Sequence, residues 1–408
     1  MRGNAAFWVL TTLGLGAAFG LPLVNVAPNR LVSGEGVSFW QVWQTLAAPT
    51  GVTEPAAHWP LWLFTITLLL LLALSLAVAL RWVGDPPRWA GGLLLAGVCA
   101  LMPGLLLLCG AYAAQVAVTQ SAIARTSLGS AYWVLTLVLW LGLTHSLQQL
   151  RAGLVPRSAV WLGLILSMAG LLAWGGCDQL SLMKEFANHA DTFADSVLRH
   201  LQIVLFTLAP TLCLGLPLGW AVHHSARLRQ WLLPPLNIIQ TIPSIALFGL
   251  LMVSLAWLAG AWPWLAHWGV SGIGLAPAVV ALTLYSLLPV VRGTQAGLAQ
   301  VPTSVLDAAR GMGMQTAQIL WWVQLPLAAP VILAGVRTAA IQTVGLAAVA
   351  ALIGAGGLGA IMFDGLFGSA QDLVLLGVLP IVGLALLLDL FFKGLAECLR
   401  PIPNGALT

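Results

Sequence analysis

Charged side chains are what this sequence has least of: Asp, Glu, Lys and Arg make up 7% of its 408 residues, against roughly 25% in soluble globular domains. Twelve acids and sixteen bases cannot cover the surface of such a chain, and the apolar area left over would aggregate in water. A water-soluble fold is excluded. Cysteines number five, at positions 99, 109, 177, 213 and 398, and no two stand as CxxC, so neither a disulfide framework nor a zinc site is implied. No G-x-x-x-x-G-K-[ST] occurs. The only glycine-rich tract, Gly354 to Gly359, lacks the lysine and reads as a tight turn rather than a phosphate cradle. The seven histidines form no HExxH, and His223 and His224 stand alone at a helix end. A net charge of +4 invites a nucleic-acid reading, but the bases come as scattered pairs rather than one stripe.

What is abundant is hydrophobic sequence, at 60%. A bilayer core needs about 20 apolar residues per helix. Such runs fall at 5-24, 61-80, 90-110, 131-150, 159-177, 198-222, 232-258, 271-291, 330-352 and 371-396, which predicts an all-α polytopic membrane protein with about ten transmembrane helices. Eleven of the sixteen cations then lie in connections on the same side as the N-terminus, and only Arg30, Arg125, Lys184 and Arg199 on the other. The positive-inside rule puts both termini in the cytoplasm, which absorbs the basic balance without nucleic acid. The first run is too long for the usual 7-15 residue core of a signal peptide, so a retained helix is expected. In the stretch 25-60, Val37, Trp40, Trp43 and Ala47 at helical spacing suggest a Trp-rich interfacial anchor.

The texture changes near residue 195. Residues 61-110 are mostly Leu, Ala and Gly, whereas later spans hold Pro210, Pro217, Pro243, Pro277, Pro289, Gln240, Thr241, Ser244, Gln342 and Thr343. Polar groups and helix breaks at membrane depth survive only where protein or a watery cavity covers them. A pathway therefore belongs to the C-terminal half, and Gln240, Thr241 and Ser244 around the helix-breaking Pro243 are expected to line it. Tyr285 adds an aromatic face suited to a quaternary ammonium ion. Arg337 and Asp389, both inside spans, are read as structurally paired.

Between the eighth and ninth spans lies a long connection on the inner side. Pro302, Thr303 and Ser304 make a helix start, residues 305 to 310 continue it, and Gly311 and Gly313 stop it. A second short helix is expected from Gln315 to Val323. Ala308 and Ala309 permit close approach, while Val305, Leu306, Met312 and Met314 offer an apolar knob that wants a groove in another protein.

Asp307-Ala308-Ala309, three residues, Gly313, nine residues, then Val323-Gln324-Leu325-Pro326 is similar to the EAA motif of type I ABC importer permeases, E-A-A-x3-G-x9-I-x-L-P, with Asp for Glu and Val for Ile. NIIQTIPSIALFGLL (237-251), LYSLLPVVRGT (284-294), LPLAAPVILAGVRTA (325-339) and ALIGAGGLG (351-359) further resemble the group that imports glycine betaine, choline, carnitine and related osmoprotectants. The resemblance covers about 195-400, a type-1 permease domain with its coupling loop at 301-326; residues 1-190 would form an N-terminal bundle of about five helices of unassigned role.

The resemblance implies a bacterial inner-membrane permease that hydrolyses nothing itself and carries no cofactor. ATP would be used by a separate cytoplasmic ATP-binding subunit, whose cleft receives Asp307, Ala308, Ala309 and Gly313, with Leu325 and Pro326 closing the motif. A second permease subunit, same or different, and an extracytoplasmic substrate-binding protein would complete the assembly in the lipid bilayer. An importer for another small solute such as an amino acid, and an ion-coupled secondary transporter, are the alternatives. The second needs intramembrane acids in paired broken helices, and Asp389 alone supplies little of that. A lipid-modifying enzyme would show clustered His, Asp or Glu near one interface, and none is present in the sequence.

Overall fold

The computed structural model describes residues 2-47 save 31 and 33, and 88-399 save 122 and 268; the span expected at 61-80 lies outside the described residues. Two compact units emerge, Met1–Asn188 and His189–Thr408. Among the described residues, eight helices are long and apolar enough to cross a membrane.

In the first unit, α1 (Arg2–Gly20), α3 (Arg88–Thr119), α4 (Ser130–Gln149) and α5 (Leu154–Ala173) are the long helices, with α2 (Phe39–Ala47) and α6 (Ser181–Asn188) short. Leu101, Leu105 and Cys109 of α3 and Tyr132, Leu139 and Leu143 of α4 share one core. Three short strands join the helices: β1 (Pro22–Ala27), β2 (Glu35–Ser38) and β3 (Arg125–Leu128), antiparallel in the order β2-β1-β3. The expected anchor helix in 25-60 is thus partly strand. Val37 lies in β2, and only from Phe39 does the chain turn helical, burying Phe39 and Val42 and leaving Trp40 exposed. Beside the sheet, the Glu185 carboxylate, 1% exposed, meets Arg30 Nε at 3.3 Å and Arg125 Nη1 at 3.5 Å.

In the second unit, α7 (Ala190–His224), α11 (Leu275–Ala299) and α14 (Leu325–Val349) pack closely together, with α11 the most buried. Small residues bring the backbones together. A Cβ on Gly293 of α11 would lie 2.8 Å from the Gly335 Cα of α14, one on Gly219 of α7 2.8 Å from the Val291 carbonyl, and one on Gly297 2.9 Å from the Ala328 carbonyl. Such contacts replace the hydrophobic drive that lipid removes. The helices α15 (Leu358–Phe367) and α16 (Gln371–Cys398) pack on each other and α16 on α14. The glycine tract is indeed a turn: Gly354, Gly356 and Gly357 all have positive φ. Arg199 Nε donates to the Ala355 carbonyl at 3.0 Å, and Gly274 N to Ile353 at 2.8 Å.

The run at 232-258 is broken at Pro243, as its proline leads one to expect, into α8 (Ala226–Thr241), started by the Ser225 hydroxyl accepting from Leu228 N at 3.2 Å, and α9 (Ser244–Ala261). Ile242 and Pro243 take extended backbone between them, with ψ of 131° and 134°. A helical conformation at the residue before proline is sterically disfavoured, and the ring occupies the space of the preceding turn. The membrane-length piece is therefore Ser244–Ala261, displaced from the expected run. A short helix α10 (Pro263–His267) follows.

Candidate functional site

The motif segment folds as short helices in the connection between α11 and α14. Pro302 caps α12 (Thr303–Gly311), whose C-terminus is closed by Gly313 in the left-handed region, φ +80°. Asp307 and Arg310 pair across one turn at 2.9 Å, both largely exposed. Met312 is 76% exposed and Ala308 also faces outward. A Cβ on Gly311 or Gly313 would meet nothing within 4 Å. Ala309 behaves differently from the expectation: it is only 2% exposed, and Leu306 packs on the core of Leu298, Val301 and Ile332. The two residues seat the helix on its own chain. The exposed residues of this helix and the turn after it are Thr303, Ser304, Val305, Asp307, Ala308, Arg310, Gly311, Met312 and Gly313.

The second helix, expected from Gln315 to Val323, is helical from Thr316 and continues through a π turn into the next helix instead of stopping. It runs as α13 (Thr316–Ile319), started by a capping box in which Gln315 N donates to Gln318 Oε1 at 2.8 Å. Leu320–Gln324 then widens into a π turn, and Leu325 and Pro326 open α14. Pro326 stands directly after the π turn, where the regular i to i−4 hydrogen bonding is already interrupted.

The break at 242-243 sits against α11, and three polar contacts hold it there. Gln240 Nε2 donates to the Tyr285 carbonyl at 2.8 Å, the Tyr285 hydroxyl donates to the Ile242 carbonyl at 2.5 Å, and Arg292 Nη2 donates to Asn237 Oδ1 at 2.8 Å. In the first two, the accepting backbone carbonyl is one that a proline or a break leaves orphaned. Pro289 has no N–H to offer the residue four before it, Tyr285, and Ile242 lies outside both helices. Tyr285 thus departs from its expected role: its side chain is 4% exposed and its hydroxyl engaged, so it presents no open aromatic face in this chain. Thr241 and Pro243 are exposed and Gln240 and Ser244 half-buried, with the Thr241 hydroxyl donating to the Ile238 carbonyl at 2.7 Å.

Further along α14, Arg337 Nε donates to Asp389 Oδ1 of α16 at 2.6 Å, and Lys393 Nζ meets Oδ2 of the same carboxylate at 2.7 Å. The pairing expected for Arg337 and Asp389 is with each other. Their distance in sequence hid the partner, while the i, i+4 spacing of Asp389 and Lys393 was available as a signal.

Residues 211–401 match the family described as binding-protein-dependent transport system inner membrane component, and residues 3–183 match the N-terminal domain of the ABC transporter permease YehY. The chain belongs to the first of these families and is a multi-pass permease of the ATP-binding-cassette importer class. It is 40% identical to the osmoprotectant import permease protein OsmW of Salmonella typhimurium over 214 residues, 52% of this chain and 94% of that one. The glycine betaine/carnitine/choline transport system permease protein OpuCD of Bacillus subtilis is 34% identical over 205 residues, 50% of this chain and 82% of that one. Among solved structures, the MetNI methionine ABC transporter in an inward-facing conformation aligns with 52% of this chain and 99% of its own, at 24% identity and a TM-score of 0.47.

Proposed function

We propose that this chain forms the translocation path for a small quaternary ammonium or zwitterionic osmolyte, driven by a separate ATP-hydrolysing subunit. The observation that carries the reading is the 40% identity running over 94% of an osmoprotectant import permease. The break at 241-244 fits such cargo in kind. Residues 237-247 contain hydroxyls, amides and apolar side chains and no charge, and a fixed carboxylate there would retain a cation that an importer must release. Tight capture then belongs to a binding protein on the outer side, and this chain supplies shape and weak dipoles.

On this reading the α12 end is cytoplasmic, because eleven of sixteen cations lie on that side, and Val305, Ala308, Gly311 and Met312 enter the cleft of the ATPase. A second permease copy or a different permease completes the path. The test is uptake of labelled glycine betaine, choline and carnitine, beside an amino acid and a sugar, by the complete transporter. Saturable, ATP-dependent uptake of at least one of the first three is expected. Uptake of only the amino acid or the sugar would remove the osmolyte assignment and leave the importer class standing.

A further inference from the structure

The polar contacts between α8 and α11 join two backbone defects in a reciprocal way. Gln240 precedes the break and reaches the carbonyl that Pro289 orphans on α11; Tyr285, the owner of that carbonyl, sends its hydroxyl back to the carbonyl orphaned at Ile242. A buried carbonyl without a donor is costly, so each contact holds the other element where its own defect is satisfied. Tyr285 is 4% exposed, and Phe248 and Leu282 share its cluster, which fixes the ring. The same helix continues from Tyr285 to Ala299, about 21 Å of α-helix, and reaches α12 through Gln300, Val301 and Pro302 alone. Val301 is buried, so this joint is seated rather than free.

The geometry points to Tyr285 and Gln240 as a clamp that carries displacement of the 303-311 helix, along α11, to the break at 241-244. This rests on the coupling role proposed above and goes beyond it: Tyr285 is a positioning residue that never touches cargo, and the Ile242 carbonyl is the group it sets. α11 also packs directly on α9, with Leu247 and Phe248 sharing a core with Ala281 and Leu282, and side chains of that kind offer a backbone carbonyl no donor.

Tyr285→Phe removes one oxygen and keeps the ring, and Gln240→Leu removes the opposite donor. Both are made in the complete transporter, with two readouts. The first is amide hydrogen exchange with and without a non-hydrolysable ATP analogue, which needs no cargo. In the wild type the analogue should change protection in 303-314 and in 238-247; in either variant the first change should persist and the second shrink. The second is cargo transported per ATP hydrolysed, expected to fall roughly tenfold, about what one lost buried hydrogen bond carries, while ATP hydrolysis stays near wild type. The double variant should be no worse than the worse single one, because both remove the same link.

An unchanged exchange response at 238-247 in Tyr285→Phe would overturn the clamp. So would transport and hydrolysis falling in proportion, or failure of both variants to assemble, since each marks plain scaffolding. Absence of osmolyte uptake by the wild type is a different result: it removes the cargo reading and leaves the exchange test of the clamp intact.

Discussion

Two glycines facing each other, Gly293 and Gly335, decide how close α11 and α14 come. A methyl on Gly335 would stand 2.6 Å from the Pro289 carbonyl and 2.9 Å from the Gly293 Cα, and backbone cannot swing aside as a side chain can. Gly335→Ala should therefore destabilise the second unit by about 1–3 kcal/mol, the usual cost of overpacking. Gly345→Ala on the same helix, where a Cβ meets nothing within 4 Å, should be neutral or slightly stabilising. Thermal unfolding in detergent separates the two. At the motif helix the same reasoning divides Ala309 from Met312. Ala309→Leu is expected to lower thermal stability, because the residue is packed against its own chain; Met312→Asp should leave stability alone and reduce co-purification of the ATPase subunit. Equal behaviour of the pair would mean that the exposed side is not the docking side. The motif's spacing made the segment readable from the sequence, but the periodicity of so short a helix could not say which alanine faces inward. Tyr285 was less readable still. Its environment depends on Pro289 four residues later and on an amide 45 residues earlier, although the Tyr-x-x-x-Pro pattern already announces an orphaned carbonyl.

Helices α14 and α16 are tied by one carboxylate between two cations, Arg337 and Lys393 around Asp389. Removing the acid alone leaves two positive charges facing each other in a half-buried place. Asp389→Ala should cost roughly 1–3 kcal/mol, whereas replacing Arg337 and Asp389 together by leucine should recover most of the loss, since apolar replacement of a whole buried pair is often nearly neutral. Melting temperatures of the two variants check this; a double variant worse than the single one would refute it. The break between α8 and α9 was evident from Pro243, but the register of the membrane-length piece was not, because Pro234 and Pro235 look like a boundary and in fact sit inside α8. The strands β1 to β3 were missed for a different reason. Each has six residues or fewer, too short for alternation to stand out, and β3 pairs with β1 from about a hundred residues away.

At the scale of the whole molecule, the chain divides at 188-189, and the two family matches, 3–183 and 211–401, fall on either side of that point. A chain starting near Asp191 is expected to insert in the membrane and bind the ATPase subunit without residues 1-190. Pull-down of the subunit by the shortened chain tests this, and normal insertion without binding would assign the first 190 residues to the engine itself. The membrane class and the approximate positions of most spans were open to inspection because lipid imposes a coarse rule of length and composition. The glycine contacts among α7, α11 and α14 carry a consequence for how such a molecule can alternate between its two faces. Backbones in direct contact, with side chains interlocked around them, have no intermediate positions to slide through. The three helices must swing as a single lever. Bending is then left to places outside this trio where the helix is already interrupted, and the Ile242–Pro243 break between α8 and α9 is such a place, which would make the gate and the hinge the same few peptide groups.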